Sequence, residues 1–94
     1  MFKELDPLLH SQLRLAIMSL LITIESAEFT FLKEKTNATA GNISVQLDKL
    51  QQAGYISIAK SFKGKKPLTT CTITRKGILA FEDYVNTLRQ YTHK

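Results

Sequence analysis

Near residue 65 the chain has to turn back on itself. Lys63-Gly64-Lys65-Lys66-Pro67 separates two runs that read as strands, Tyr55 to Phe62 and Leu68 to Thr74. The first alternates loosely; the second puts Thr70, Thr72 and Thr74 on one side. Gly64 permits a tight turn, and Pro67 fixes the start of the returning strand without needing a donor. The expected result is an antiparallel hairpin whose tip carries Lys63, Lys65 and Lys66 together. Such a tip suits phosphates or a minor groove. Lysines also blunt exposed hairpin edges with no ligand in view.

The charge pattern around this hairpin extends the argument. No acidic residue occurs from Tyr55 to Gly77, while Lys60, Lys63, Lys65, Lys66, Arg75 and Lys76 all fall inside that stretch. The whole chain carries 13 basic and 8 acidic side chains, a formal charge of +5. A one-sign field of this kind attracts polyanions, either nucleic acid or an anionic membrane surface. A merely solvated basic face is the plainer alternative.

Ninety-four residues make one domain, 1–94, with room for one core. Asp6-Pro7 predicts the start of a first helix through Ile24, Asp6 as N-cap and Pro7 at the first helical position. On a helical wheel Leu9, Leu13, Ile17, Leu20 and Ile24 form one apolar stripe, and Leu8, Leu15, Met18 and Ile22 a second. One stripe serves the domain's own core. The other calls for a second copy of the chain, or for a central helix buried on both sides.

Glu28 to Phe31 reads as a short strand, followed by a short helix to about Asn37. Ala38 to Asn42 is a small-residue turn, and the next helix spans Thr39 to Ala53, with Thr39 as N-cap and Gly54 as terminator. Ile43, Leu47, Leu50 and Ala53 mark its inward face. The last helix starts at Thr74 and runs to about Tyr91. Its apolar residues Ile78, Phe81, Tyr84, Val85, Leu88 and Tyr91 cover more than the ~100° stripe of an ordinary surface helix. Leu8, Leu15, Met18 and Ile22 of the first helix, with Phe81, Tyr84, Leu88 and Tyr91 of the last, are therefore the expected homodimer interface.

The order helix, strand, helix, helix, strand, strand, helix is an α+β plan, mainly α, with a two- or three-stranded antiparallel sheet. At two places it resembles a known family. Asn42-Ile43-Ser44-Val45-Gln46-Leu47-Asp48-Lys49-Leu50-Gln51-Gln52-Ala53-Gly54-Tyr55-Ile56 resembles the recognition helix of MarR-type and ArsR-type regulators. Phe62-Lys63-Gly64-Lys65-Lys66-Pro67 followed by Thr72-Ile73-Thr74-Arg75-Lys76-Gly77 is similar to the wing and final-helix start of their short winged-helix members. Together the matches cover roughly residues 29–88. The resemblance implies a winged helix-turn-helix with N- and C-terminal dimerisation helices that binds double-stranded DNA as a homodimeric transcriptional regulator, usually a repressor. The alternative is a winged helix that docks a partner protein instead, since this recognition helix has no arginine.

In that plan the N-terminal end of the recognition helix enters the major groove. Thr39, Ala40, Gly41, Asn42, Ser44, Val45, Gln46 and Lys49 are the candidate contacts there, joined by Lys63, Lys65 and Lys66 of the wing and by Arg75. Asn42 and Gln46 are of the type that reads adenine in a bidentate way, Val45 can meet a thymine methyl, and Lys49 would lie near a phosphate. Val45 points away from the inward face, through a DNA contact or through surface tolerance. Asp48 is discordant on such a helix and is expected to tilt away or to order Gln52. Arg75 and Lys76 fall in the first turn of the last helix, where the macrodipole disfavours cations. The family often has an acidic residue at the position of Lys76, so this is a departure, and a further phosphate contact would explain it.

Catalytic and metal chemistry find no support in the residues. There is no glycine-rich phosphate loop before a helix, no paired His/Cys ligand set, and no nucleophile beside a base. His10 and His93 are far apart and read as surface residues. The lone Cys71 reads as a small buried hydrophobe. The tract Leu15 to Ile24 is too short to cross a bilayer, and no signal peptide fits, so the expectation is a soluble, cytoplasmic protein with no membrane partner, metal or cofactor. No motif names a small-molecule effector.

Overall fold

Ser11, rather than Asp6, opens the first long helix. In the computed structural model, which describes residues 2–92, Asp6 caps a single turn. Its Oδ1 accepts from Leu8 N at 3.0 Å, and its carbonyl accepts from Leu9 N and His10 N at 3.1 and 3.0 Å. Arg14 Nε then donates to the Leu8 carbonyl at 2.6 Å, so that oxygen is satisfied without continuing the helix. The backbone extends at Ser11, whose Oγ accepts from Arg14 N, and α1 spans Gln12–Ile24. The turn before it delivers Leu9 into the core.

The late start re-sorts the expected stripes. Ile17, Met18 and Leu21 are the buried residues of α1, and Leu21 belonged to neither stripe. Met18, expected at the dimer face, has 0% exposure and offers a partner nothing.

Glu25, at φ 71, turns the chain out of α1 into a strand, β1, over Ser26–Glu28. The strand expected over Glu28 to Phe31 is thus displaced toward the N-terminus. Its aromatic and β-branched residues instead begin a helix, α2, spanning Phe29–Thr36, because only a helix there buries Leu32 while Ala27 pairs with Cys71 across the sheet. Asn37 closes α2 in the left-handed conformation. The third helix, α3, spans Ala40–Gln52 with Thr39 as its N-cap. It ends as expected at Gly54 (φ +81), where Gly54 N donates to Gln51 O and Tyr55 N to Leu50 O.

Two longer strands follow, β2 over Ile56–Lys63 and β3 over Lys66–Ile73, and the antiparallel sheet has the order β1-β3-β2. Only Gly64 and Lys65 lie in the turn. Gly64 has φ +65 while Lys65 is not at positive φ, the pattern of a type II′ hairpin. Pro67 therefore stands inside β3, opposite Phe62 and beyond the last β1 pair, Glu28 with Thr70. A two-residue turn makes Lys63 and Lys66 the hydrogen-bonded pair, so the next pair does not need the donor that Pro67 lacks.

The last helix, α4, spans Arg75–Thr92, with Thr74 Oγ1 accepting from Gly77 N at 3.0 Å as its cap. Tyr84, expected at the dimer face, is only 3% exposed, and its hydroxyl lies 3.0 Å from His10 Nδ1. Tyr91 is engaged within the chain: its ring stacks on Phe2 at 4.7 Å and its hydroxyl donates to Lys3 O. Cys71 is fully buried, and burial pushes its thiol up to about 11. Among the described residues no helix is long and apolar enough to cross a membrane. His93 lies outside the described residues.

Candidate nucleic-acid interface

The exposed face of α3 is small and polar at its N-terminal end. Thr39, Ala40, Gly41, Asn42, Ser44 and Val45 are all exposed, as is Lys49 one turn further on. Thr39 Oγ1 accepts from Asn42 N at 3.1 Å, so that hydroxyl is first a cap. A Cβ added at Gly41 would meet nothing within 4 Å, so packing does not demand a bare backbone there. Val45 is 50% exposed on the face opposite Ile43, Leu47 and Leu50.

Gln46 behaves differently from its neighbours. It is half-buried, and both ends of its amide are taken: Arg14 Nη1 donates to Oε1, and Nε2 donates to Asn42 Oδ1 at 3.1 Å. A bidentate contact to adenine would have to share the amide with both partners, using its second lone pair and its second hydrogen. Sequence reasoning missed Arg14, because this contact joins residues 32 apart and no local pattern announces it.

Asp48 is exposed and shares a cleft with Ser44 and Leu47 of α3, Lys60 of β2 and Thr69 of β3. It thus lies beside the middle of the hairpin, in the company of a lysine, and no hydrogen bond joins it to Gln52 among the described residues.

The hairpin tip concentrates positive charge. Lys63 and Lys66 are direct cross-strand partners and Lys65 sits in the turn between them, all exposed. Like charges placed opposite one another destabilise a hairpin unless an anion lies between or beside them. Phe62, 73% exposed, stands next to them.

At the start of α4, Arg75 is exposed, in a first turn that holds no acidic residue. Lys76 has a contact of its own. Its ammonium lies 5.9 Å from the centre of the Tyr55 ring, and its stem runs beside Gly54. A phosphate is therefore not needed to account for Lys76. Tyr55 itself donates to Asp6 Oδ2 at 2.5 Å, and burial together with that carboxylate pushes its phenol up to about 12.

The remaining dimer candidates, Leu8, Leu15, Ile22, Phe81 and Leu88, are all half-buried and pack on the edge of the core. Ile22 and Phe81 line an open cleft with Glu82, Val85, Asn86 and Arg89.

Comparison with known proteins agrees with this architecture. Residues 13–92 match the family described as winged helix DNA-binding domain. An uncharacterised protein of Methanocaldococcus jannaschii is 38% identical over 81 residues, covering 86% of this chain and 88% of that one. A transcriptional regulator homologue from Pyrococcus horikoshii OT3 superposes with a TM-score of 0.85 at 24% identity, over 90% of this chain and 84% of the other. AbfR, solved in its reduced form bound to DNA, superposes with a TM-score of 0.67 at 16% identity, over 88% of this chain and 61% of that one. The fold is thus the one shared by MarR- and ArsR-type transcriptional regulators. The chain belongs to the winged helix DNA-binding domain family.

Proposed function

We propose that the protein binds duplex DNA as a homodimer and regulates transcription, acting as a repressor by occupying its site. The N-terminal half of α3 enters the major groove, and the hairpin lies along the backbone and minor groove. The observation that carries this reading is the tip of the hairpin, where Lys63 faces Lys66 with Lys65 between them. That arrangement costs stability in the free protein and is relieved by a phosphate backbone. Asn42, Ser44 and Val45 supply the exposed small and polar side chains a groove-reading helix needs, and the exposed Lys49 and Arg75 supply cations for phosphates.

Dimerisation uses the half-buried apolar rim of α1, α4 and the turn before α1, with Ile22 and Phe81 at its centre and Leu8, Leu15 and Leu88 around it. The exposed Ile24 and Leu79 extend the same apolar character along those helices. Two copies related by a two-fold axis would read two half-sites about 10 bp apart, centre to centre, or a multiple of that.

The test is enrichment of fragmented genomic DNA by the purified chain. The reading expects a small set of fragments sharing an inverted repeat with that spacing. Recovery of no duplex above background refutes it, and leaves the exposed Val45 and Phe62 as contacts for a partner protein instead.

A further inference from the structure

A polar chain connects the body of the domain to the exposed face of α3, from Arg14 through Gln46 to Asn42. Each link fixes the polarity of the next. A guanidinium has only donors, so the Gln46 amide must face Arg14 with its oxygen. Its nitrogen is then turned the other way and donates to Asn42 Oδ1 at 3.1 Å. With Oδ1 held against Gln46, Asn42 presents its Nδ2 outward from an exposed position in the first turn of α3. In an isolated asparagine the two ends of the amide interchange by a simple flip. Here a flip would set Nδ2 against the Gln46 nitrogen, donor against donor.

From this geometry we infer that Arg14 and Gln46 are positioning residues that make Asn42 a donor. At the DNA surface Asn42 selects a base edge made of acceptors, and favours guanine, whose major-groove edge offers N7 and O6 side by side, over the single acceptors of thymine (O4) and adenine (N7). This differs from the bidentate reading of adenine, which asks for both a donor and an acceptor from one amide. The inference rests on the duplex-binding reading above and adds what that reading lacks: the residue that sets specificity, and the base it prefers. Arg14 is half-buried and also holds the Leu8 carbonyl, so its guanidinium is fixed from two sides.

The polarity can be reversed by one atom. In Gln46→Glu, the new carboxylate still accepts from Arg14 but has no donor for Asn42. Asn42 must then turn its Nδ2 inward and present Oδ1, favouring the amino-bearing bases cytosine and adenine. The experiment is a quantitative selection from a randomised duplex library with the wild-type chain, Asn42→Ala, Gln46→Glu and the double variant, with circular dichroism reporting the fold of each. The wild type is expected to favour guanine at one symmetric position by about tenfold, as one good base contact does. Asn42→Ala should lose that preference, and Gln46→Glu should move it to an amino-bearing base. In the double variant the new preference should vanish, because it belongs to Asn42. If Gln46→Glu does not fold, Gln46→Met supplies the test: Asn42, freed of its partner, should discriminate several-fold less while overall affinity changes little.

Three results overturn the inference. The Gln46→Glu chain could keep the wild-type preference and lose affinity uniformly, as a phosphate contact by Asn42 would give. The altered preference could persist in the double variant, making Glu at residue 46 the reader itself. Finally, a wild-type chain that selects no duplex overturns the DNA-binding reading too. That failure is distinct, since it appears before any variant is compared.

Discussion

Replacing Gly77 by alanine should destabilise the protein, although alanine is the better helix former. Gly77 lies in the first turn of α4 against the carbonyl of Tyr55, where α3 has ended and β2 begins. A Cβ there would stand 2.1 Å from Tyr55 O, 2.9 Å from Tyr55 C and 3.1 Å from Ile73 Cγ1. None of these neighbours is the free end of a flexible side chain. The Tyr55 carbonyl also accepts from Thr74 N at 3.0 Å, so a shift that relieves the clash stretches that bond. Overpacking of this kind costs about 1–3 kcal/mol, and a weakened hydrogen bond about 1 kcal/mol more. The helix-propensity gain of alanine over glycine returns about 1 kcal/mol. The net expectation is a loss of about 2 kcal/mol, which for a domain of this size lowers Tm by about 8–16 °C. Thermal unfolding followed by circular dichroism measures it. Gly41→Ala is the control, because a Cβ at Gly41 meets nothing within 4 Å and the variant should match or exceed the wild type. A Gly77→Ala protein as stable as the wild type would refute the close packing of α4 on the Tyr55 backbone.

Other consequences can be checked singly. Sedimentation at micromolar concentration should give twice the chain mass, and Phe81→Glu should shift it toward the monomer; a wild type that sediments as a monomer removes the proposed dimer. Native Cys71 should resist thiol reagents at pH 8 and react on unfolding, since burial holds its thiol up to about 11. Tyr55 and Cys71 both bind their protons more tightly in the folded state than in the unfolded one. Stability should therefore be level below about pH 8 and fall as pH rises toward 12, and Tyr55→Phe should flatten the later part of that decline in urea titrations. Ser11→Ala should cost about 1 kcal/mol in urea unfolding through the lost cap of α1, and an unchanged stability would contradict Ser11 as that cap.

The hairpin and α3 were legible in the sequence because their signals are local. Gly64 and Gly54 occupy positive-φ positions that glycine takes at no cost, and Thr39 and Thr74 cap the helices they precede. The start of α1 was less legible because Asp6 and Ser11 are both good caps. The choice between them depends on Arg14 reaching back to Leu8, a contact no propensity contains. Glu28 to Phe31 misled for a similar reason: strand-forming residues yielded to the burial of Leu32 and the pairing of Ala27 with Cys71. The wheel pattern of α1 and α4 gave the right surplus of apolar residues but not its destination. Met18 and Tyr84 went to the core because α1 packs against α2, α3, α4 and the sheet together. At the candidate site, exposure followed the wheel, yet the tie from Gln46 to Arg14 is tertiary and left no trace in the local sequence.

The claim that the hairpin is a DNA contact is tested most directly by how affinity depends on salt. The measurement compares the wild type with Lys65→Ala on one random and one enriched duplex across several salt concentrations. If Lys65 meets a phosphate, the variant should weaken on both duplexes by a similar factor. Its plot of log affinity against log salt should flatten by about 0.9 per lost contact, hence about 2 for a dimer. An unchanged affinity and an unchanged slope in Lys65→Ala would contradict the account.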